Sequence, residues 1–221
     1  MKKVALTLSM LALAALNAQA QVRWNFTDGD AVADQSIANL ANTPTITRVN
    51  GGGTTLVDST SPSSYPGASG TNNIQASAVG GALNPATSTY FEFTLTPTSG
   101  FAINATGLQL GSRATTSGPT TITLRSSVDG FVADLGIVTQ GADSTWRLLT
   151  MPGFNITGDA GVPVTFRIYG SGGTSAAGGN WRVDDISLTA TATAIPEPGT
   201  YMLLGIGVLM CAQQFRKRNR K

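Results

Sequence analysis

The sequence predicts an all-β protein: a two-sheet antiparallel sandwich of jelly-roll type, flanked by an N-terminal signal helix and a C-terminal transmembrane helix. Short stretches of β-branched and aromatic residues alternate with polar ones, and 26 Gly and 10 Pro separate them. No window of useful length in the middle of the chain repeats apolar residues at helical spacing. We therefore divide the chain into a signal peptide (1–20), a sandwich domain (21–190), a linker (191–195) and a sorting tail (196–221).

Three segments show the alternation most clearly. In "STYFEFTLTP" the residues Phe91, Phe93 and Leu95 point to one face and polar neighbours to the other. The segments "TTITLRSS" and "PVTFRIYG" alternate in the same way, and four more strand candidates are "VRWNF", "TGLQLGS", "TWRLLTM" and "WRVDDISLTATA". We expect eight to ten short strands. Residues 27–87 are less regular, with a long loop expected in "SPSSYPGASGTNN" and a turn of helix in "GDAVADQSIANLANT".

The N-terminus has the features of an export signal. Two lysines precede an apolar run, and the small residues Ala18 and Ala20 form the pattern that signal peptidase reads. The predicted mature chain starts at Gln21, and signal peptidase and the export machinery are the expected partners. An uncleaved anchor is the alternative, but the apolar run is short for a membrane span.

Charge and composition exclude several functions. Of the 14 Lys and Arg, only seven lie between residues 21 and 194, against 11 acidic residues, so this span carries a net charge of 7 − 11 = −4. A nucleic-acid partner is not expected, because such proteins present a basic face. The chain has no His, and its one Cys is Cys211 in the C-terminal apolar segment. Catalytic triads and zinc sites built on His or Cys are therefore excluded.

Carboxylate chemistry is the enzymatic alternative that remains. A glycoside hydrolase needs two carboxyl groups across the scissile bond, and Glu92 is the only Glu in the exported domain. A pair of aspartates from distant loops would have to supply the chemistry. We expect a protein that is not an enzyme.

Two segments carry a resemblance to a known class of domain. "LRSSVDGF" (124–131) and "GNWRVDDISLTAT" (179–191) resemble segments of exported bacterial jelly-roll domains related to carbohydrate-binding modules. This resemblance implies that the last strand lies beside the first, and it makes polysaccharide a possible partner. Sugars stack on exposed aromatic rings, so the candidate stacking residues are Tyr65, Trp146 and Tyr169, with ordinary packing as the alternative.

A β-bulge is predicted at Asp184 and Asp185, because the inward residues of "WRVDDISL" switch there from Trp181 and Val183 to Ile186 and Leu188. Carboxylates beside exposed carbonyls suit Ca²⁺. A structural calcium ion is therefore a candidate cofactor, with Asp184, Asp185, Asp28 and Asp30 as ligands. The alternative is that these aspartates cap turns or face solvent.

The C-terminal tail has three parts in a fixed order. The motif comprises Pro196, Glu197, Pro198 and Gly199; an apolar helix of about residues 199–215 follows; and a basic end consists of Arg216, Lys217, Arg218, Arg220 and Lys221. This order resembles the PEP-CTERM sorting signal of Gram-negative bacteria. The resemblance implies insertion in the inner membrane through the helix, cleavage near the motif by exosortase, and a final location at the cell surface or outside the cell. A permanent single-pass anchor is the alternative.

Together these features predict an exported surface or matrix protein with a structural or adhesive role. By the same resemblance, such proteins accompany exopolysaccharide and biofilm formation. A carbohydrate-binding module is the alternative function.

Overall fold

The computed structural model describes residues 20–53 and 55–195. These residues form eleven β-strands and one short 3₁₀ helix (Ser127–Asp129), joined by loops. The predicted signal and transmembrane helices, with the sorting motif and the basic end, lie outside these residues. Within them, no helix is both long and apolar enough to cross a membrane. The strands are β1 (Gln21–Trp24), β2 (Thr47–Val49), β3 (Val57–Asp58), β4 (Asn73–Ala78), β5 (Tyr90–Leu95), β6 (Phe101–Ala114), β7 (Thr121–Ser126), β8 (Gly136–Thr139), β9 (Arg147–Thr157), β10 (Val164–Ser171) and β11 (Gly179–Ala194).

The strands form two antiparallel sheets whose order is that of a jelly roll. One sheet runs β3-β4-β11-β6-β9, with β1 also paired to β11, and the other runs β2-β5-β10-β7-β8. From β4 to β11 the chain crosses repeatedly from one sheet to the other. As a result β4-β11-β6-β9 faces β5-β10-β7-β8, which is the arrangement of two Greek keys. The predicted two-sheet antiparallel sandwich is confirmed.

Aromatic residues from both sheets fill the space between them. Trp24 and Phe93 lie with ring centroids 4.7 Å apart, and Phe91 and Trp181 meet at the same distance. All four rings are buried. They belong to strands of opposite sheets, so the alternating apolar residues of the sequence do face a common core.

The last strand lies beside the first, as predicted. Trp24 pairs with Ile186, and β1 continues along β11 to the pairing of Gln21 with Thr189. The register of β11 against β6 shifts between Asp184 and Ser187, which confirms the bulge. On either side of it the predicted inward residues of β11 are fully buried.

Residues 27–87 agree with the prediction only in part: the expected loop in "SPSSYPGASGTNN" is present up to residue 72. The expected turn of helix in residues 29–43 is absent from the structure, where that segment makes isolated bridges such as that of Val32 with Thr45. Three strands that the sequence did not reveal, β2, β3 and β4, lie in this region. Two of them have only three and two residues, too few to show a period of two.

Candidate functional site

The outer face of the six-stranded sheet carries two rows of mainly polar residues that run across four strands. The register places Arg23, Ser187, Gln109 and Thr150 side by side in one row. The next row contains Gln21, Thr189, Gly107 and Pro152. Inward-facing Val22, Leu188 and Leu108 alternate with these residues and anchor the strands in the core.

Above these rows, the loop of residues 59–72 covers the sheet and is fastened to the bulge. The carboxylate of Asp185 accepts hydrogen bonds from the Tyr65 hydroxyl at 2.5 Å and from the Ser69 backbone nitrogen at 2.9 Å. Arg23 Nη2 lies 3.0 Å from the other oxygen of Asp185. One side chain therefore holds both the covering loop and strand β1.

Asp184 is buried under the same loop. Ser63 donates a hydrogen bond to its Oδ2, and the backbone nitrogen of Asp185 donates to its Oδ1 at 2.7 Å. Burial, reinforced by the charge of Asp185, raises the pKa of Asp184 to about 6, while the bond from Ser63 works in the opposite direction.

A glycine makes room for the covering loop. The ring of Tyr65 lies directly against Gly111 on β6, where an added Cβ would meet ring atom Cε1 at 2.3 Å. Burial and the adjacent Asp185 raise the pKa of Tyr65 above its ordinary value, so the hydroxyl keeps its proton and acts as a donor.

Below the covering loop the sheet face is open and forms a groove. Its upper part holds about 240 Å³ and lies between Arg23, Tyr65 and Gln109. The central part holds about 390 Å³ over Gly107, and it shares Gln21, Gln109 and Ser187 with the upper part. The lower part, about 400 Å³, shares Thr106 and Thr189 with the centre and continues along β11 to Thr193. We call these three parts the sheet groove.

Ser187 lies at the centre of the sheet groove and has an unsatisfied hydroxyl. The residue is 9% exposed, and its Oγ has no hydrogen-bond partner among the described residues. It lines both the upper and the central parts. A buried polar group without a partner costs free energy, and rotation of this side chain toward the groove would let a bound hydroxyl or water recover it.

The predicted sugar-stacking residues do not present exposed ring faces. Tyr65 and Trp146 are each 8% exposed and pack near one another, with ring centroids 6.4 Å apart. Tyr169 is fully buried against Tyr90, at a centroid distance of 4.9 Å. Stacking needs an accessible face, so this interpretation is corrected: the three rings are packing residues, and only Tyr65 borders the sheet groove.

The four aspartates predicted to hold calcium do not form one ligand group. Asp28 and Asp30 are exposed in their own turn, where Asp28 Oδ1 accepts from the nitrogen of Asp30 and Asp30 Oδ1 from the nitrogen of Val32. The carboxylate oxygens of Asp184 and Asp185 accept hydrogen bonds from protein donors, and one of these donors is the cationic Arg23. Within residues 20–53 and 55–195, no cluster of three or more acidic, His or Cys residues suits a metal. The residues present do not fit the calcium ion.

Sequence reasoning missed the sheet groove, although it named Tyr65, Asp185 and Gln21 for other roles. Gln21, Gln109, Thr150 and Ser187 come from four strands, and each alone is an ordinary polar residue on the wet side of its strand. The available signal was the outward period-two pattern of these strands, but it does not give their register.

No curated protein matches this chain. Solved structures with a similar fold include one described as "CBM4 structure and function", at 15% identity and TM-score 0.39, covering 76% of this chain and 99% of that one. The family 11 carbohydrate-binding module from Clostridium thermocellum, in complex with a β-1,3-1,4-mixed-linked tetrasaccharide, is 12% identical with TM-score 0.32, covering 77% and 96%. The K1 cleaved adhesin domain of Lys-gingipain from Porphyromonas gingivalis W83 is 13% identical with TM-score 0.35, covering 80% and 99%. Likenesses this distant say nothing about a ligand.

The C-terminal residues give the sharper comparison. Residues 194–219 match the model of the PEP-CTERM protein-sorting motif, and this range contains the motif, the apolar segment and most of the basic end. The chain therefore carries a PEP-CTERM sorting signal behind a jelly-roll domain, which marks it as an exported protein sorted to the cell surface.

Proposed function

We propose that this protein is a non-enzymatic component of the cell surface or extracellular matrix, released from its tail by exosortase, and that its sheet groove binds exopolysaccharide. The observation that carries the binding role is the sheet groove itself, with the unsatisfied hydroxyl of Ser187 at its centre. A structural role in biofilm follows if one matrix polymer is held by many copies of the protein.

The chemistry of the groove favours a neutral polyol chain. Its side chains are mainly amides and hydroxyls, which match sugar hydroxyls as donors and acceptors. Its charged side chains, Arg23 and Asp185, neutralise one another at the upper end. A protein partner is usually held by large aromatic or aliphatic anchors in a well-packed pocket. The central part of this groove has no aromatic side chain, and the residues around Gly107 include amides and hydroxyls beside Leu108, Met151 and Pro152.

The shape of the groove points to an extended ligand. It follows β11 from Asp185 to Thr193, eight residue steps at about 3.3 Å each, or roughly 25 Å. Such a length accommodates several consecutive sugar units of a linear chain.

The carboxylates support binding rather than hydrolysis. Glu92 forms an ion pair with Arg167 at 2.6 Å on the other sheet. Asp184 has the raised pKa expected of a catalytic acid, but it is fully buried beneath the covering loop. Neither acid reaches a bond held in the sheet groove.

Filling the groove at Gly107 is expected to weaken polysaccharide binding without unfolding the domain. An added Cβ there meets nothing closer than 3.8 Å, so a tyrosine side chain has space only within the groove. We expect Gly107→Tyr to weaken binding by about tenfold or more, equivalent to about 1.4 kcal/mol. Affinity electrophoresis in gels containing mixed-linkage β-glucan, galactomannan or alginate measures this.

Two further variants make this experiment decisive. Ile137→Tyr adds the same side chain to an exposed position of β8, in the other sheet, and should leave binding unchanged. Ser187→Ala removes a hydroxyl that has no partner among the described residues, so it should weaken binding while leaving the unfolding midpoint unchanged or raised. Binding in the groove would be refuted if wild type and Gly107→Tyr were retarded equally in every gel. It would also be refuted if no gel retarded the wild-type protein.

Processing of the tail is tested separately by intact mass spectrometry. In cells with exosortase, the protein recovered from envelope and medium is expected to end near residues 196–199. In cells without it, the same protein should retain the tail through Lys221. Chains that extend to Lys221 in both strains would instead establish a permanent anchor, and the function would then belong at the membrane.

A further inference from the structure

Cleavage after Ala20 would place the new N-terminus at the wall of the sheet groove. Gln21 is the first residue of β1, is exposed, and lines both the upper and the central parts of the groove. Its side-chain amide makes no hydrogen bond to another described residue. We propose that Gln21, once it is the first residue, cyclises to pyroglutamate, and that this neutral lactam forms part of the wall of the mature sheet groove.

The backbone nitrogen of Gln21 is free to react. The carbonyl of Ala20 accepts a bond from the nitrogen of Ala190 at 2.9 Å, so Ala20 and Ala190 form a hydrogen-bonded pair of the ladder. Such pairs alternate with non-bonded ones, and Gln21 opposite Thr189 is therefore a non-bonded pair. The nitrogen of Gln21 points away from β11, toward the edge on which the nitrogen of Arg23 reaches Gln35.

Part of the new α-amine is in its reactive form at neutral pH. A free α-amino group has a pKa of about 7.7 to 8.0, so a fraction is unprotonated at neutral pH. Asp185, the nearest carboxylate lining the groove with Gln21, is already paired with Arg23, so it is not free to hold the amine in its charged form.

The reaction needs no partner reagent. The unprotonated α-nitrogen attacks the side-chain carbon Cδ, a new C–N bond closes a five-membered ring, and the amide nitrogen leaves as ammonia with the proton that the amine gives up. No group is oxidised or reduced. The strand need not open, because the first residue has no preceding peptide and its exposed side chain can turn toward its own nitrogen.

The structural consequence is an uncharged N-terminus in the wall of the groove. A free α-ammonium would add a cation beside Arg23 and favour acidic polymers, whereas the lactam offers one donor and one acceptor. This modification rests on export and on cleavage after Ala20, and it deepens the proposed preference for neutral polysaccharide.

The test is the N-terminal peptide of protein recovered from the culture. We expect a mass lower than that of a chain beginning with Gln21 by one ammonia, no labelling of the α-amine by reductive dimethylation, and labelling after treatment with pyroglutamyl aminopeptidase. The matched variant is Gln21→Asn, which would need a four-membered ring and should therefore keep an amine that labels. A wild-type chain that begins with unmodified, labelled Gln21, or that begins at another residue, would overturn the proposal.

Binding assays on the same samples keep the two proposals apart. A cyclised N-terminus on protein that retains no affinity for any polysaccharide would leave the modification standing and refute the binding role. Labelled Gln21 on protein that binds neutral glucan would refute the modification and leave the binding role standing.

Discussion

Replacing Arg182 by methionine is expected to lower the free energy of unfolding by about 3 kcal/mol, because it leaves a buried polar cluster without its central donor. Arg182 is 4% exposed on β11. Its guanidinium donates to Asn73 at 2.8 Å, to Asp58 at 2.9 Å and to the Thr60 hydroxyl at 2.7 Å. The cluster joins β11 to β3 and to the start of the covering loop.

The energetic cost comes from the partners that remain. Desolvation opposes the charge of Asp58, but bonds from the backbone of Thr60 and from Arg182 hold the pKa of Asp58 below its ordinary value. Without Arg182 the carboxylate of Asp58 keeps only its bonds from Thr60 and loses its counter-charge, and the Oδ1 of Asn73 loses its donor. Methionine fills most of the volume, so the loss reports the polar contacts rather than a cavity.

Urea denaturation at pH 7 measures the effect, and two comparisons interpret it. Arg147→Met breaks an exposed pair with Asp143 and should change the midpoint little. The double variant Arg182→Met/Asp58→Asn should recover part of the loss, because it removes the unpaired charge. A single variant as stable as wild type would show that the cluster is solvated and does not secure the loop.

The core was predictable because its signal is local. Phe91, Phe93 and Leu95 alternate within six residues, and the structure buries all three. Tyr90 and Tyr169 belong to the outward set of their strands, yet they too are buried. The guanidinium of Arg167 covers Tyr90, with its Cζ 4.6 Å from the ring centroid. Burial by a side chain of a neighbouring strand cannot be predicted from the alternation of apolar and polar residues within one strand.

The site was less predictable because its contacts are long-range. The switch of inward residues predicted the bulge at Asp184 and Asp185. Their hydrogen-bond partners in the covering loop, Ser63 and Tyr65, lie 121 and 120 residues away in sequence. Calcium was a reasonable expectation for adjacent carboxylates at a bulge. The choice between a metal and protein donors depends on which loop covers the bulge, and alternation within a strand does not determine that.

The second large effect is on the pH dependence of stability. The folded state holds the proton of Asp184 with a pKa of about 6, compared with 3.8 for the unperturbed side chain. Between these values the folded protein binds more protons than the unfolded chain, so the free energy of unfolding falls as the pH rises from about 4 to about 6. The loss is on the order of 3 kcal/mol when the whole shift is counted.

Other shifted acids do not obscure this window. The pKa values of Asp58 and Asp143 are lowered, so their contributions are present above about pH 4 and are lost only at more acidic pH. Wild type should therefore be more stable at pH 5 than at pH 7, the opposite of ordinary acid denaturation.

Asp184→Asn separates this effect from every other titration. The amide keeps an acceptor for the backbone nitrogen of Asp185 and can donate to the Ser63 hydroxyl, yet it never ionises. We expect its stability to be nearly constant from pH 4 to pH 7 and to exceed that of wild type at pH 7. Ser63→Ala, which removes a bond to the charged form, should steepen the wild-type dependence. Urea midpoints at pH 5 and pH 7 that do not differ in wild type would mean that Asp184 is ionised at both values, and that the covering loop admits water to the bulge.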